Sequence, residues 1–163
     1  MRSPDHPIKR RRPAGSVRRS MRMSASNLGS ISSCRILLVD DFAPWREFTR
    51  SLLGKRAHWQ IVGEARDGLE AIEKAKQTQP DAVLLDVGLP LLCGIDASSR
   101  ICEAVPAVRV VFLTADRSSE VLHAAFSTGA QGYVLKVDAH TDLLPALEAV
   151  LRGEKFLSRR LRH

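Results

Sequence analysis

The 163-residue sequence lacks a long hydrophobic run, a secretory leader and a set of paired cysteines. No stretch of about 18 consecutive apolar residues is present, so the sequence predicts no membrane-spanning helix. The basic beginning of the chain is not followed by an apolar stretch and a cleavage site, which argues against secretion. The cysteines, Cys34, Cys93 and Cys102, are odd in number and lack metal-ligand spacing. We therefore expect reduced thiols in a cytoplasmic protein.

The formal charge of +7 is concentrated at the beginning of the chain. Residues 1–33 contain eight Arg or Lys and one Asp, whereas the remaining 130 residues contain 17 basic and 17 acidic side chains. Because this basic segment has few large apolar residues, we predict that it is a disordered extension. It is either an arm that contacts nucleic acid or anionic lipid, or an extension without function, with Met21 and Met23 as later starts. We favour the second interpretation, because basic tails often occur without such partners.

Short apolar runs alternate with helical patterns from residue 34 onward. Strands are predicted at 35–39, 60–65, 81–85, 108–113 and 132–135. Helices are predicted at about 44–56, 69–77, 95–104, 118–128 and 141–152. This alternation predicts an α/β fold, a doubly wound five-stranded parallel sheet with five helices and right-handed crossovers. The domain would span residues 34–153, and residues 154–163 would be a basic tail or a linker remnant.

Four of the five predicted strands end in side chains suited to phosphoryl chemistry. Asp40 and Asp41 follow the first strand, Asp86 follows the third, Thr114 ends the fourth and Lys136 follows the fifth. Because the carboxyl ends of parallel strands lie at one edge of a sheet, we expect these residues to converge. Clustered carboxylates repel one another and favour a hard cation such as Mg²⁺. An aspartate can form an acyl phosphate, with a cation and a lysine stabilising the transferring phosphoryl group.

In this order and spacing, the residues resemble those of the receiver domain of two-component response regulators. The stretches 86–94 and 129–136 resemble loops of that family, particularly of its NarL/FixJ-type branch. The resemblance covers about residues 34–157. It implies a flavodoxin-like or CheY-like fold with strand order 2-1-3-4-5.

The resemblance also implies a phosphoacceptor and a metal site. Asp86 would accept the phosphoryl group from a sensor histidine kinase or a phosphotransfer protein. Asp40, Asp41, Asp86 and the backbone carbonyl of Gly88 would hold Mg²⁺. The domain would be a signalling module rather than an enzyme.

A conformational switch follows from the same resemblance. Thr114 and Lys136 would contact the phosphoryl oxygens, and Tyr133 would turn inward as the threonine moves toward the phosphoryl group. Such a signal is a population shift between two packings. The face formed by the fourth strand, the fourth helix and the fifth strand, about residues 118–133, would be a surface for a possible homodimer.

The sequence departs from the resembled branch at two places. Members of this branch usually continue into a helix-turn-helix domain, whereas this chain ends at His163, soon after a stretch at 156–158 that resembles the start of the linker. We therefore expect no specific DNA binding from this chain, which is either a stand-alone receiver or part of a longer regulator. Val137 stands where many receivers have a proline after the lysine.

Other interpretations of the same residues remain open. A haloacid-dehalogenase-type phosphatase needs two aspartates two residues apart, and here Phe42 holds the second of those positions. A degenerate receiver that signals without phosphate is the main alternative, although the intact acidic set argues against it. Taken singly, Asp41 could be a helix N-cap, Lys136 a surface lysine and Tyr133 a half-buried strand residue.

Overall fold

The computed structural model of the chain describes residues 33–162. The predicted extension, residues 1–33, lies outside the described residues except for Ser33. The strands are β1 (Cys34–Val39), β2 (Trp59–Ala65), β3 (Ala82–Leu85), β4 (Arg109–Thr114), β5 (Gly132–Leu135) and β6 (Phe156–Leu157). The helices are α1 (Ala43–Leu53), α2 (Gly68–Thr78), α3 (Gly94–Ala104), α4 (Ser119–Ser127) and α5 (Ala139–Leu151). None of these helices is long and apolar enough to cross a membrane.

The strands form one parallel sheet in the order β2-β1-β3-β4-β5-β6. The order reverses at β1 and β3, because the chain moves from β2 across β1 to β3 and then continues to β6. The carboxyl ends of β1 and β3 therefore lie side by side, where α/β sheets place their sites. The predicted doubly wound fold is confirmed.

Helices cover both faces of the sheet. α1 and α5 bury their apolar sides against one face, and α2, α3 and α4 bury theirs against the other. Leu37 of β1 belongs to one of these hydrophobic cores and Leu38 to the other. A strand that is buried on both sides needs apolar residues at successive positions, which explains the continuous runs in β1 and β3.

The sheet has one strand more than the five predicted. β6 pairs with β5, placing Phe156 opposite Gly132 and Leu157 opposite Tyr133. A two-residue strand is too short to show periodicity, and its pairing depends on contacts that are remote in sequence. The ordered structure therefore continues past residue 153, where the sequence analysis ended the domain.

Two helix boundaries differ from those predicted from the sequence. α1 ends at Leu53 rather than near residue 56, and α5 begins at Ala139 rather than at residue 141. A 3₁₀ turn over Lys136–Asp138 joins β5 to α5. All three cysteines lie within the described range and are free thiols.

Candidate functional site

The ammonium of Lys136 joins two carboxylates at the carboxyl edge of the sheet. Its Nζ lies 2.7 Å from Asp40 Oδ2 and 2.9 Å from Asp86 Oδ2. β1 and β3 are neighbours in the sheet, and β5 is separated from β3 by β4 alone. All three strands end at the same edge, where their polar residues converge. All three side chains are largely buried, so their charges interact in surroundings that screen them poorly.

Asp41 completes a group of three carboxylates. Carboxylate oxygens of Asp40, Asp41 and Asp86 all lie within 4.8 Å of one another. Asp41 is exposed and does not cap α1, whose N-cap residue is Phe42 without a side-chain cap. The N-cap interpretation of Asp41 is therefore wrong, since α1 begins one residue later than that role requires.

The backbone at the end of β1 is held by two hydrogen bonds that involve Asp40. Its Oδ1 accepts a hydrogen bond from the backbone N–H of Phe42 at 2.9 Å. Its backbone carbonyl accepts a hydrogen bond from Nη1 of Arg46 at 2.7 Å. Arg46 is buried in α1 below the acidic group. The sequence analysis missed Arg46, although its spacing from Thr49 and Leu53 places it on the buried face of α1.

A second missed residue lies beside the lysine. The Lys136 Nζ is 5.1 Å from the centre of the Trp45 ring, which in turn packs edge-on against Phe48 at 5.2 Å. An ammonium within about 6 Å of an indole face is attracted by the ring. Trp45 therefore forms an aromatic wall on the α1 side of the site.

Thr114 and Tyr133 are connected through one loop residue. The hydroxyl of Thr114 accepts a hydrogen bond from the N–H of Asp116 at 3.2 Å. The phenol of Tyr133 donates to the carbonyl of the same residue at 3.0 Å. Both side chains are buried, with Tyr133 packed inside the core. Tyr133 is therefore not half-buried. The β4–α4 loop connects Thr114 to Tyr133, the two residues predicted to form the switch.

The loop after Asp86 contains two glycines, of which one has no space for a side chain and the other has ample space. A Cβ at Gly94 would lie 1.9 Å from the carbonyl oxygen of Asp86, so only glycine fits there. The N–H of Gly94 also donates to the Val87 carbonyl at 2.8 Å. Gly88 is exposed, and a Cβ there would meet no atom within 4 Å. The role of the Gly88 carbonyl as a metal ligand stays a prediction.

Burial and charge act in opposite directions on the two main ionisable groups. Burial raises the pKa of the Asp40 carboxyl above its ordinary value, and the charge of Asp86 adds to this rise. Hydrogen bonds from Lys136 and from the Phe42 N–H oppose it. Burial lowers the pKa of Lys136, but its bonds to Asp40 and Asp86 outweigh that effect and leave the pKa raised. Lys136 is therefore an ammonium at neutral pH.

The phenol of Tyr133 stays protonated for a related reason. Burial raises its pKa, and the charges of Asp116 and Asp86 raise it further. A protonated phenol is a hydrogen-bond donor, which is the role it has toward the carbonyl of Asp116.

The family model described as the response regulator receiver domain matches residues 36–148. The chain therefore belongs to this family, whose members are the receiving modules of two-component signalling systems. It is a family of signalling domains rather than of enzymes.

Individual relatives agree with this assignment. The chain is 38% identical, over 120 residues, to the uncharacterized transcriptional regulatory protein YxjL of Bacillus subtilis, covering 74% of this chain and 55% of that protein. It resembles the crystal structure of a LuxR-family two-component response regulator from Aurantimonas sp. SI85-9A1, with a TM-score of 0.76 and 37% identity, covering 80% of this chain and 93% of that one. The isolated receiver domain of RcsB from Salmonella enterica, solved with the phosphomimetic BeF₃⁻, has a TM-score of 0.75 and 25% identity, covering 80% and 96%.

The chain spans little more than half the length of the curated regulators it matches. These relatives are named as transcriptional or oxygen regulatory proteins from bacteria. The resemblance to LuxR-type receivers agrees with the NarL/FixJ-type branch indicated by the sequence.

Proposed function

We propose that this chain accepts a phosphoryl group on Asp86, in a Mg²⁺-dependent reaction with a histidine kinase or a phosphotransfer protein. The observation that carries the proposal is the position of Asp86, whose carboxylate shares the Lys136 ammonium with Asp40. A nucleophile, a second carboxylate and a cation thus lie in contact at the carboxyl edge of the sheet. This is the arrangement that phosphoryl transfer to an aspartate requires.

The transfer step follows from this geometry. A carboxylate oxygen of Asp86 forms a P–O bond as the P–N bond to the donor histidine breaks. The imidazole nitrogen keeps the electron pair and takes up a proton. Lys136 is already beside the acceptor oxygen, so it can turn its N–H donors to the incoming phosphoryl oxygens without crossing the site.

The donor set fits Mg²⁺. Asp40, Asp41 and Asp86 supply three negative charges against the single positive charge of Lys136, so these four side chains carry a formal charge of −2. Mg²⁺ prefers carboxylate oxygens and retained waters, and the three aspartates would hold it together with the carbonyl of Gly88. When bound, the ion would neutralise charge on the phosphoryl oxygens.

The switch would use the contacts between β4 and β5. The hydroxyl of Thr114 accepts a hydrogen bond from the N–H of Asp116, and Tyr133 donates to the carbonyl of the same residue. A phosphoryl group on Asp86 would offer the hydroxyl proton of Thr114 a charged acceptor. Movement of Thr114 toward that group would break its hydrogen bond to the β4–α4 loop. Tyr133, which is bonded to the same loop, could then adopt a different packing. The β4–α4–β5 face would then change shape, which suits a surface for homodimers or other partners.

The alternative is a degenerate receiver that binds partners without phosphate. The three clustered carboxylates favour the first proposal, since without a cation they repel one another and reduce stability. We expect the protein to act in the cytoplasm, where its proposed kinase partner presents phosphohistidine.

Incubation with a small phosphodonor tests the proposal. Wild type and Asp86→Asn are each treated with acetyl phosphate, with Mg²⁺ or with EDTA, and their intact masses are measured. We expect one phosphoryl group on wild type with Mg²⁺, and none with EDTA or on the variant. No addition to wild type, under conditions where a known receiver reacts, would favour the degenerate alternative.

A further inference from the structure

The chain returns to the site after α5. Residues 156–162, here called the return segment, run along the outer edge of β5. The N–H of Phe156 donates to the carbonyl of Gln131 at 2.9 Å, and the N–H of Ser158 donates to the carbonyl of Tyr133 at 3.0 Å. The hydroxyl of Ser158 then accepts the N–H of Leu135 at 3.0 Å. Ser158 is fully buried, so water cannot replace this bond.

A second contact lies just beyond the lysine. Arg160 Nε is 2.8 Å from Asp138 Oδ1, at the end of the 3₁₀ turn that begins with Lys136. The Asp138 side chain is mostly buried, and its Oδ2 is buried without a hydrogen-bond partner. Arg160 therefore supplies the positive charge that this carboxylate contacts, and its loss would leave a buried charge unpaired.

The two contacts hold the Lys136 turn at both ends. Ser158 fixes the residue before Lys136, and Arg160 fixes the residue two positions after it. Val137, between them, is 49% exposed and gives the turn little packing. The backbone at Lys136 is thus held by the return segment as well as by the core, in which Leu135 and Ala139 are buried.

We propose that Ser158 and Arg160 are positioning residues that hold Lys136 in reach of Asp86, an inference that rests on the proposed phosphoryl transfer. Neither residue touches the acidic group. Each acts by restraining the turn from which the lysine extends its ammonium. Small displacements of a group that stabilises a transferring phosphoryl are costly, because its contribution depends on being in place before the reaction.

A positioning role can be distinguished from a purely structural one, because the two roles predict different effects on phosphorylation and on Mg²⁺ binding. The proposed metal ligands Asp40, Asp41 and Asp86 follow β1 and β3, whereas the return segment contacts β5 and the turn after it. Loss of a positioning contact should therefore slow phosphorylation without weakening Mg²⁺ binding, since a displaced Lys136 removes a positive charge from Asp40 and Asp86 and no oxygen ligand. Loss of general stability should change neither property while the protein is folded.

Matched variants separate these possibilities in the full chain. Ser158→Ala is compared with Ser98→Ala, since Ser98 is also fully buried and hydrogen-bonded, to Thr128 at 2.7 Å. Arg160→Gln is compared with Arg152→Gln, which breaks the exposed pair with Glu154. For each protein we measure the phosphorylation rate with acetyl phosphate, the Mg²⁺ affinity by tryptophan fluorescence and the Tm.

We expect Ser158→Ala and Arg160→Gln to slow phosphorylation by roughly threefold to tenfold, the effect of about one hydrogen bond. Their Mg²⁺ affinities should not fall below that of wild type, and the two controls should react at the wild-type rate. Rates for Ser158→Ala and Arg160→Gln equal to those of their controls would overturn the positioning role while leaving the proposed function intact. A wild type that takes up no phosphoryl group would overturn both proposals together.

Discussion

Arg46 in α1 donates a hydrogen bond through Nη1 to the backbone carbonyl of Asp40 at 2.7 Å. The guanidinium is buried, so the bond is charge-assisted and shielded from water. It fixes the backbone at the point where β1 ends and the two aspartates of the proposed metal site follow. One helix residue thereby orients the first part of the acidic site without contributing an oxygen ligand.

Replacing Arg46 with Met should destabilise the fold and weaken Mg²⁺ binding. The carbonyl of Asp40 loses its partner in a buried place, which costs about 1–3 kcal/mol in the free energy of unfolding. Urea unfolding and a Mg²⁺ titration measure the two effects. Arg50→Met is the control on the same helix, since Arg50 forms a half-exposed pair with Glu64 worth less than about 1 kcal/mol. Equal losses in the two variants would contradict the role assigned to Arg46.

Gly94→Ala should disturb the Asp86 loop, whereas Gly88→Ala should be tolerated. A methyl group at position 94 would lie 1.9 Å from the Asp86 carbonyl oxygen, so the backbone that carries the acceptor must move. At position 88 the same methyl group meets no atom within 4 Å. We expect Gly94→Ala to lose several kcal/mol of stability, or to fail to fold, against less than about 0.5 kcal/mol for Gly88→Ala. Calorimetry measures the Tm of the two variants. Similar Tm values would contradict the close contact between position 94 and the Asp86 carbonyl.

Ionisation of Asp40 should lower the free energy of unfolding of the metal-free protein. Its pKa is raised in the folded state, so the folded protein binds this proton more tightly than the unfolded chain does. The contribution of Asp40 to stability is therefore greatest below its ordinary pKa and is lost as pH rises through the raised value.

Asp40→Asn isolates this contribution from the other carboxyl groups. In EDTA, the free energy of unfolding of the variant relative to wild type should increase as pH rises from about 4 to 7. Chemical unfolding of both proteins across this range provides the measurement. A difference that stays constant, or that decreases with pH, would show that burial does not dominate the environment of Asp40.

Much of the site follows from strand ends alone. Asp86 directly follows an apolar strand, Lys136 follows another, and a parallel sheet brings such ends to one edge. The structure places these two side chains 2.9 Å apart, a contact between residues 50 positions apart in the chain. The order of apolar runs and polar ends was sufficient because β3 and β5, which lead to Asp86 and Lys136, are buried on both faces.

Other features depend on contacts that no local pattern reveals. Arg46 and Arg50 lie one helical turn apart, yet one is buried under Asp40 and the other is half exposed. Ser158 follows a strand of two residues, too short for a periodic signal. Leu91 adopts a positive φ of 65°, which a sequence would sooner assign to glycine or asparagine. Each of these was decided by tertiary packing rather than by propensity.

The location of the phosphoryl group is the most direct test of the account. After reaction with acetyl phosphate and Mg²⁺, borohydride reduces an aspartyl phosphate to homoserine, and peptide mass spectrometry then locates the changed residue. The account predicts homoserine at position 86 and unmodified aspartate at positions 40 and 41. Homoserine at position 40 or 41, with position 86 unchanged, would contradict the central claim.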